Sequence, residues 1–260
     1  MRQPINIGFV SDLHSRQSEW HDNLIYGHWG YEYEQKWKDL DLLIFAGDCS
    51  NNGTADEIDS FLHWFNLQPA KEKVMIGGNH DFFFDSNYIS MTDFGQNRHG
   101  FRAGNQESID KMLSKYPKIH YLKDSSVELY GLKIWGSPVS PWFHDWAYNR
   151  VRCNGQDGVF NGIKQHWDKT PDDVDIMVTH TPPYGQGDLL SESHQREGED
   201  PNVGCVDLMD AIKRIKPMVN VFGHIHEGYG ITENEHTKFI NASSLSVRYR
   251  PINPPIFLEL

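Results

Sequence analysis

The chain has 260 residues, enough for a sizeable core, and its 38% hydrophobic and 13% aromatic content fits a folded globular protein. Its formal net charge is −12 at pH 7, with no long block of one sign. That balance argues against a duplex-DNA binder, makes a long nucleic acid a poor partner, and argues against an anionic membrane. An acidic protein can still handle phosphate where bound cations supply positive charge locally.

Cys49, Cys153 and Cys205 are odd in number and widely spaced, with no Cys-x-x-Cys. A disulfide framework or zinc ribbon is not indicated, and a reducing compartment is expected. The first ten residues hold too short an apolar run for a signal peptide, and no stretch approaches the ~18 apolar residues of a membrane span. No repeat or linker divides the sequence. The expectation is a soluble cytoplasmic protein with one domain over residues 1–260.

In chain order, Ile5–Val10 reads as a strand that ends at Ser11-Asp12-Leu13-His14. Along a continuing strand, Asp12 and His14 would share a face, where a carboxylate and an imidazole suit a divalent metal. Residues 15–39 carry Trp20, Tyr26, Trp29, Tyr31, Tyr33 and Trp37, either as a packing flap or as a ligand-facing loop. Leu42–Ala46 is a strand ending at Gly47-Asp48-Cys49. Thr54 and Glu57 form a capping box for a helix whose Ile58, Phe61, Leu62 and Phe65 repeat at i, i+3, i+4, i+7.

Val74–Ile76 is a buried strand that runs into Gly77-Gly78-Asn79-His80-Asp81. Two glycines allow a sharp turn or a close approach, and three adjacent polar side chains past a buried strand are costly unless something satisfies them. Residues 82–104 read as a long loop, followed by a helix around Ile109 and Met112 and a strand at Ile119–Leu122. Val127–Tyr130 and Leu132–Trp135 flank Gly131 as a hairpin. Residues 136–170 look irregular. Val174–Thr179 is a strand ending at His180, and residues 185–204 form a polar, mobile, Gly-rich segment. Val206–Lys216 is a helix, and Val219–Phe222 a strand ending at Gly223-His224-Ile225-His226. Further strands close on Ile256–Leu258. Early helix–strand alternation with later local pairing points to an α/β protein with two packed sheets.

Five strand ends thus carry Asp12 and His14, Asp48, Asn79 and His80, His180, and His224 and His226. Such ends gather on one side of an α/β sheet. Mixed nitrogen and oxygen donors suit Mn, Fe, Zn or Co better than Mg or Ca, and the set is too large for one ion.

The order Asp-x-His, Gly-Asp, Gly-Asn-His-Asp, His, Gly-His-x-His resembles the calcineurin-like metallophosphoesterase superfamily over about Ile5 to Leu258. Ser137-Pro138, Pro141-Trp142-Phe143, the run from Val221 to Gly230, Asn241-Ala242-Ser243 and Asn253-Pro254-Pro255 resemble its MPPED-type members, related to class III cyclic-nucleotide phosphodiesterases. Some of those have glycine where this chain has His224, and they are nearly inactive. The stretch around 191–202 resembles an insertion.

The resemblance implies a four-layer α/β/β/α sandwich and a dinuclear centre, with manganese first among its metals. Asp12, His14 and His226 would bind one metal, Asn79, His180 and His224 the other, and Asp48 would bridge. A hydroxide shared by the ions would attack phosphorus in line. His80 would protonate the leaving oxygen or steady the charge near it, and Asp81 would orient His80. The implied substrate is a small or cyclic nucleotide phosphodiester. Alternatives are a phosphatase acting on monoesters or phosphoproteins, and a non-catalytic scaffold. Against the phosphatase, Asn52 stands where those enzymes resemble one another in an arginine. Arg98, Arg102 and Arg196 are candidate substitutes from long loops. Phe82, Trp142 and Tyr184 are candidate base-stacking residues, and Cys49 either packs or acts as a redox switch.

Overall fold

The structure, a computed structural model, describes residues 4–88 and 103–260. In chain order the helices and strands are β1 (Asn6–Val10), α1 (Gln17–Ile25), α2 (Tyr31–Lys38), β2 (Leu42–Ala46), α3 (Ala55–Asn66), β3 (Glu72–Ile76) and α4 (Gln106–Leu113). Next come β4 (Ile119–Tyr121), β5 (Ser125–Leu129), β6 (Leu132–Ser137), β7 (Ser140–Pro141), β8 (Asn149–Arg150), α5 (Lys164–Trp167) and β9 (Ile176–Thr179). The chain ends with α6 (Val206–Ile215), β10 (Val219–Phe222), β11 (Gly230–Glu233), β12 (Lys238–Asn241) and β13 (Ile256–Glu259).

Two mixed sheets dominate. One has the order β13-β1-β2-β3-β4, parallel except for β13, and the other has the order β11-β12-β10-β9-β6-β5. In the second sheet β12, β10, β9 and β6 are parallel, while β11 and β5 pair antiparallel at its two edges.

Strand alternation creates the layers. Ile7, Phe9, Leu42, Ile44, Val74 and Ile76 face Ile134, Ile176, Val178, Val221 and Ile240 between the sheets. The intervening Leu43, Phe45 and Met75 point outward onto Ile58, Phe61, Leu62 and Phe65 of α3. On the far side, Trp135, Met177, Phe222 and Phe239 meet Trp167, Leu208, Ile212 and Ile215 of α5 and α6. Strands buried on both faces explain the continuous apolar runs of the sequence, and the layers run α/β/β/α.

The Thr54–Glu57 capping box is present in both directions, and the Ile58, Phe61, Leu62 and Phe65 face is buried. Truncating Phe61 to alanine would cost about 3–5 kcal/mol.

The aromatic stretch 15–39 is not a loop. It forms α1 and α2, with Trp20 and Trp37 buried in the outer core. Its indoles also clamp the C-terminal segment: Trp20 Nε1 donates to the Asn253 carbonyl (2.9 Å), and Trp29 Nε1 donates to that of Ile252 (3.2 Å). Residues 136–170 contain β7, β8 and α5. The 185–204 segment folds back through a Leu189–Asn202 bridge, and the Asp188 carboxylate accepts the Gly185 and Gly204 amides. Among the described residues no helix is long and apolar enough to cross a membrane.

Candidate metal centre

The ligand-bearing segments follow β1, β2 and β3 of one sheet and β9 and β10 of the other, so the centre lies where the C-terminal ends of both sheets meet. Strand alternation does not aim these side chains. Asp12, His14, Asp48 and His224 all have left-handed backbones, with φ of 54°, 41°, 58° and 69°. The expectation that Asp12 and His14 share a face of a continuing strand is therefore corrected, because β1 has ended and left-handed turns re-aim both groups. Such conformations cost about 1 kcal/mol or more each and persist where the surroundings over-determine them.

Two glycines make room for the carboxylates. A Cβ on Gly78 would strike Asp48 Oδ1 and the Asp48 amide nitrogen and lie 2.7 Å from His180 Cε1. A Cβ on Gly223 would strike Asp12 Oδ2 and Ser11 Oγ.

Three sets of ligand atoms converge within 4.8 Å: Asp12, His14 and His226; His14, Asp48 and His80; and Asp48, His180 and His224. Asp12 Oδ1 lies 3.3 Å from His226 Nε2 and 3.9 Å from His14 Nε2. Asp48 Oδ2 lies 3.6 Å from His14 Nε2 and 3.3 Å from His180 Nε2. Asn79 Oδ1 is 2.9 Å from the same His180 nitrogen. Backbone groups fix the orientations. The carbonyls of Ala46, Ser246 and Asn51 accept Nδ1–H from His180 (2.9 Å), His226 (3.1 Å) and His80 (2.7 Å). Asp12 accepts the His224 amide at 3.0 Å and the Ser243 hydroxyl at 2.9 Å, and Asp48 Oδ1 accepts the His80 amide at 2.8 Å.

These residues fit divalent cations. Both ring nitrogens of His14 are buried without a hydrogen-bond partner among the described residues, an arrangement that is costly unless a ligand completes it. Burial pushes His14 and His224 down to about 3, so each ring is neutral at physiological pH and offers a lone pair. Burial acts against the Asp48 carboxylate, but His180 and His80 outweigh it and hold the group well below its ordinary range. Burial acts equally against Asp12, which His226 holds low. His180 is pushed up to about 9, because Asp48 and Asp12 outweigh its burial. With Nδ1–H committed to Ala46, Nε2 faces the acceptors Asp48 Oδ2 and Asn79 Oδ1, and only a second proton or a cation reconciles the three.

Asp81 does not orient His80 in the way the sequence implied. Its buried carboxylate accepts the amides of Gly78 (2.8 Å), Ser50 (2.9 Å) and Cys49 (3.3 Å) and the Ser50 hydroxyl (2.6 Å). It shapes the two loops that carry Asp48 and Asn79, while the Asn51 carbonyl holds the His80 ring. The Cys49 thiol is buried and donates to Asp81 (3.2 Å), and burial with Asp81 pushes it well above its ordinary value. A thiol so protonated packs and is a poor redox switch.

Phe82 is fully buried and cannot stack an incoming base. Trp142 and Tyr184 are exposed. Arg196 pairs with Glu199 at 3.6 Å, while Arg98 and Arg102 lie outside the described residues.

Two aromatics at the centre were missed from sequence. Trp146 stacks on His80 with centroids 4.2 Å apart, and Tyr249 approaches His14 and His226 at 4.8 and 5.4 Å. Trp146 sits in the segment read as irregular, with no periodic signal. Tyr249 follows the Asn241-Ala242-Ser243 block by only a few residues, and that proximity was the available hint.

This fold and this cluster of carboxylates and imidazoles define a metallophosphoesterase, and the sequence matches the calcineurin-like phosphoesterase family over residues 5–228. The chain belongs to that family. It is 37% identical over 226 residues to human metallophosphoesterase domain-containing protein 1, a match covering 85% of this chain and 64% of that protein's own length. It is 23% identical over 235 residues to a 3′,5′-cyclic-nucleotide phosphodiesterase of Nostoc sp., covering 87% of this chain and 73% of that one. The solved structure of TT1561 of Thermus thermophilus shares the fold at a TM-score of 0.57 and 11% identity, covering 99% of this chain and 98% of that one.

Proposed function

We propose that the chain is a dinuclear metal-dependent phosphodiesterase acting on small or cyclic nucleotide phosphodiesters. The observation that carries the reading is that Asp48 belongs both to a cluster with His14 and His80 and to a cluster with His180 and His224. One carboxylate common to two converging sets is what two ions sharing a ligand require. Asp12, His14 and His226 would hold one ion, Asn79, His180 and His224 the other, and Asp48 both. When bound, the pair supplies Lewis acidity at the phosphoryl oxygens and hydroxide at neutral pH. Manganese is the proposed metal, with iron, zinc or cobalt as substitutes.

His80 would act on the leaving group. Its Nδ1–H is committed to Asn51, so Nε2 is the atom that would hold and release a proton. Trp146, stacked on that ring, restricts its rotation and excludes water from one side. Asn52 in place of an arginine favours a monoanionic diester over a dianionic monoester. The name of the Nostoc relative supports the nucleotide class. A small nucleotide, rather than a long nucleic acid or a membrane, is the proposed partner, since the charge is −12. Three free, buried cysteines fit a proposed cytoplasmic setting.

The test compares kcat/KM with Mn²⁺ for 2′,3′- and 3′,5′-cyclic nucleotides, bis-p-nitrophenyl phosphate and p-nitrophenyl phosphate. Higher values for the diesters are expected. A preference for the monoester would overturn the reading, and absence of both metal and turnover would point to a scaffold.

A further inference from the structure

The turn from Ser246 to Arg250 brings to the centre a side chain that the ligand assignments leave out. The Tyr249 ring lies 4.8 Å from His14 and 5.4 Å from His226, edge-on to each, so it borders the Asp12 side of the centre. The placement is fixed. Tyr249 N–H donates to the Ser246 carbonyl at 2.7 Å, and the same oxygen accepts His226 Nδ1–H at 3.1 Å. One backbone atom therefore positions both the phenol and a ligand histidine. Ser246 N–H donates to the Arg250 carbonyl at 2.9 Å and closes the turn. Beyond it, Asn23, Trp29 and Trp20 hold the carbonyls of Pro251, Ile252 and Asn253.

Turn geometry alone does not call for tyrosine there. Its φ is 55°, a region that favours glycine and asparagine and that bulky residues seldom occupy. The residue is 37% exposed, and no hydrogen bond of its hydroxyl is present among the described residues. A large residue is thus held in an unfavourable backbone conformation, against two metal-ligand candidates, with its hydroxyl committed to no protein group among the described residues.

We propose that Tyr249 is a substrate-contacting specificity residue whose hydroxyl donates a hydrogen bond to a non-bridging oxygen of a phosphodiester seated at the Asp12–His14–His226 side of the centre. This rests on the phosphodiesterase reading above and names a group that would select its substrate. A phenol hydroxyl donates a hydrogen bond and brings no positive charge of its own. It therefore orients a monoanionic diester without the extra charge that a dianionic monoester demands.

Tyr249→Phe removes the hydroxyl and keeps the ring against both histidines. Metal content and melting temperature should match wild type. Affinity for dimethyl phosphate, measured by calorimetry on the metal-loaded protein, should fall roughly 10-fold or more, as for a lost hydrogen bond to a charged group. The value of kcat/KM for bis-p-nitrophenyl phosphate should fall at least as far, and that for p-nitrophenyl phosphate less. A variant that binds and cleaves like wild type overturns the proposal. So does one that loses metal, because Tyr249 would then only support His226. If wild type cleaves no diester yet binds dimethyl phosphate in a Tyr249-dependent way, the phosphodiesterase reading fails and the contact stands.

Discussion

Gly223→Ala probes how the centre is built, because the substitution adds one methyl group and removes no ligand. That methyl would fall inside contact distance of Asp12 Oδ2 and Ser11 Oγ and 2.9 Å from Ser11 Cβ. Ser11 cannot retreat, since its amide donates to the Ala242 carbonyl and its own carbonyl accepts the Ser244 amide, both at 2.9 Å. The Asp12 carboxylate must therefore give way. It would lose the His224 amide and the Ser243 hydroxyl, hydrogen bonds to a charged group worth about 1.5–3 kcal/mol. Overpacking of a tight site adds about 1–3 kcal/mol. A net loss of about 3 kcal/mol should lower the melting temperature by about 6–12 °C in a chain of this size. Metal analysis after gel filtration should give about half the wild-type content, because Asp12 belongs to one set alone while Asp48, Asn79 and His180 still serve the other. Far-UV circular dichroism at 20 °C would show whether the fold is retained. Wild-type melting with full metal content would refute the claim that Gly223 is there to admit the Asp12 carboxylate.

Asp48→Asn should lose both ions and nearly all turnover while the core keeps its fold, and two metals per chain in that variant would contradict the shared-ligand assignment. His80→Ala should keep its metal and lose roughly 10² to 10⁴ in rate on a substrate with a poor leaving group, with a smaller loss on an aryl ester. Equal losses on both would remove the proton-donor role. Away from the centre, Asp124 accepts from His166 (2.7 Å), Ser137 (2.7 Å) and Lys169 (2.9 Å). Burial opposes its charge, but these partners hold the carboxyl well below its ordinary 3.8. A depressed carboxyl stabilises the fold fully above the unfolded value and progressively less as pH falls below it. Asp124→Asn should therefore cost about 1.5–3 kcal/mol at pH 7. That gap should narrow between about pH 4 and pH 2, and urea unfolding that shows the same gap across this range would refute it.

The sequence made the strands legible because they are buried on both faces. Leu42–Ala46 and Val219–Phe222 have no polar residue that breaks the apolar run except Asn220, whose side chain is buried and bonded to Thr179 and the Met177 carbonyl. The α3 boundary was legible because Thr54 and Glu57 act within one turn. Candidate ligands were legible as types in order, but their aim was not. Asp12, His14, Asp48 and His224 are directed by left-handed backbone, and strand-period reasoning cannot see a reversal of φ at a strand end. Sequence distance hid the role of Asp81, most of whose partners, the Cys49 and Ser50 amides and the Ser50 hydroxyl, come from a loop some thirty residues earlier. Long-range pairing also decided the aromatic stretch: Trp20 and Trp29 each find an acceptor more than 220 residues away, so no local window distinguishes a flap from a clamp.

These features share one physical logic. Asp12, Asp48 and Asn79 extend from the first sheet, and His180, His224 and His226 from the second. Between the sheets the contact is dominated by apolar side chains, and apolar contact is non-directional, so packing alone tolerates small slippage of one sheet over the other. Direction comes from the C-terminal edge. There the Ser11 amide reaches Ala242, the His180 ring reaches the Ala46 carbonyl, and the Asp12 carboxylate reaches the His224 amide and Ser243. Each of these bonds crosses from one sheet to the other, and each ends on a candidate ligand or its immediate neighbour. The contacts that register the two sheets are thus the contacts that place the ligands. A substitution that lets the sheets slide would scatter the donor atoms even if every ligand were kept, and ions bound between the sheets would in turn resist that sliding.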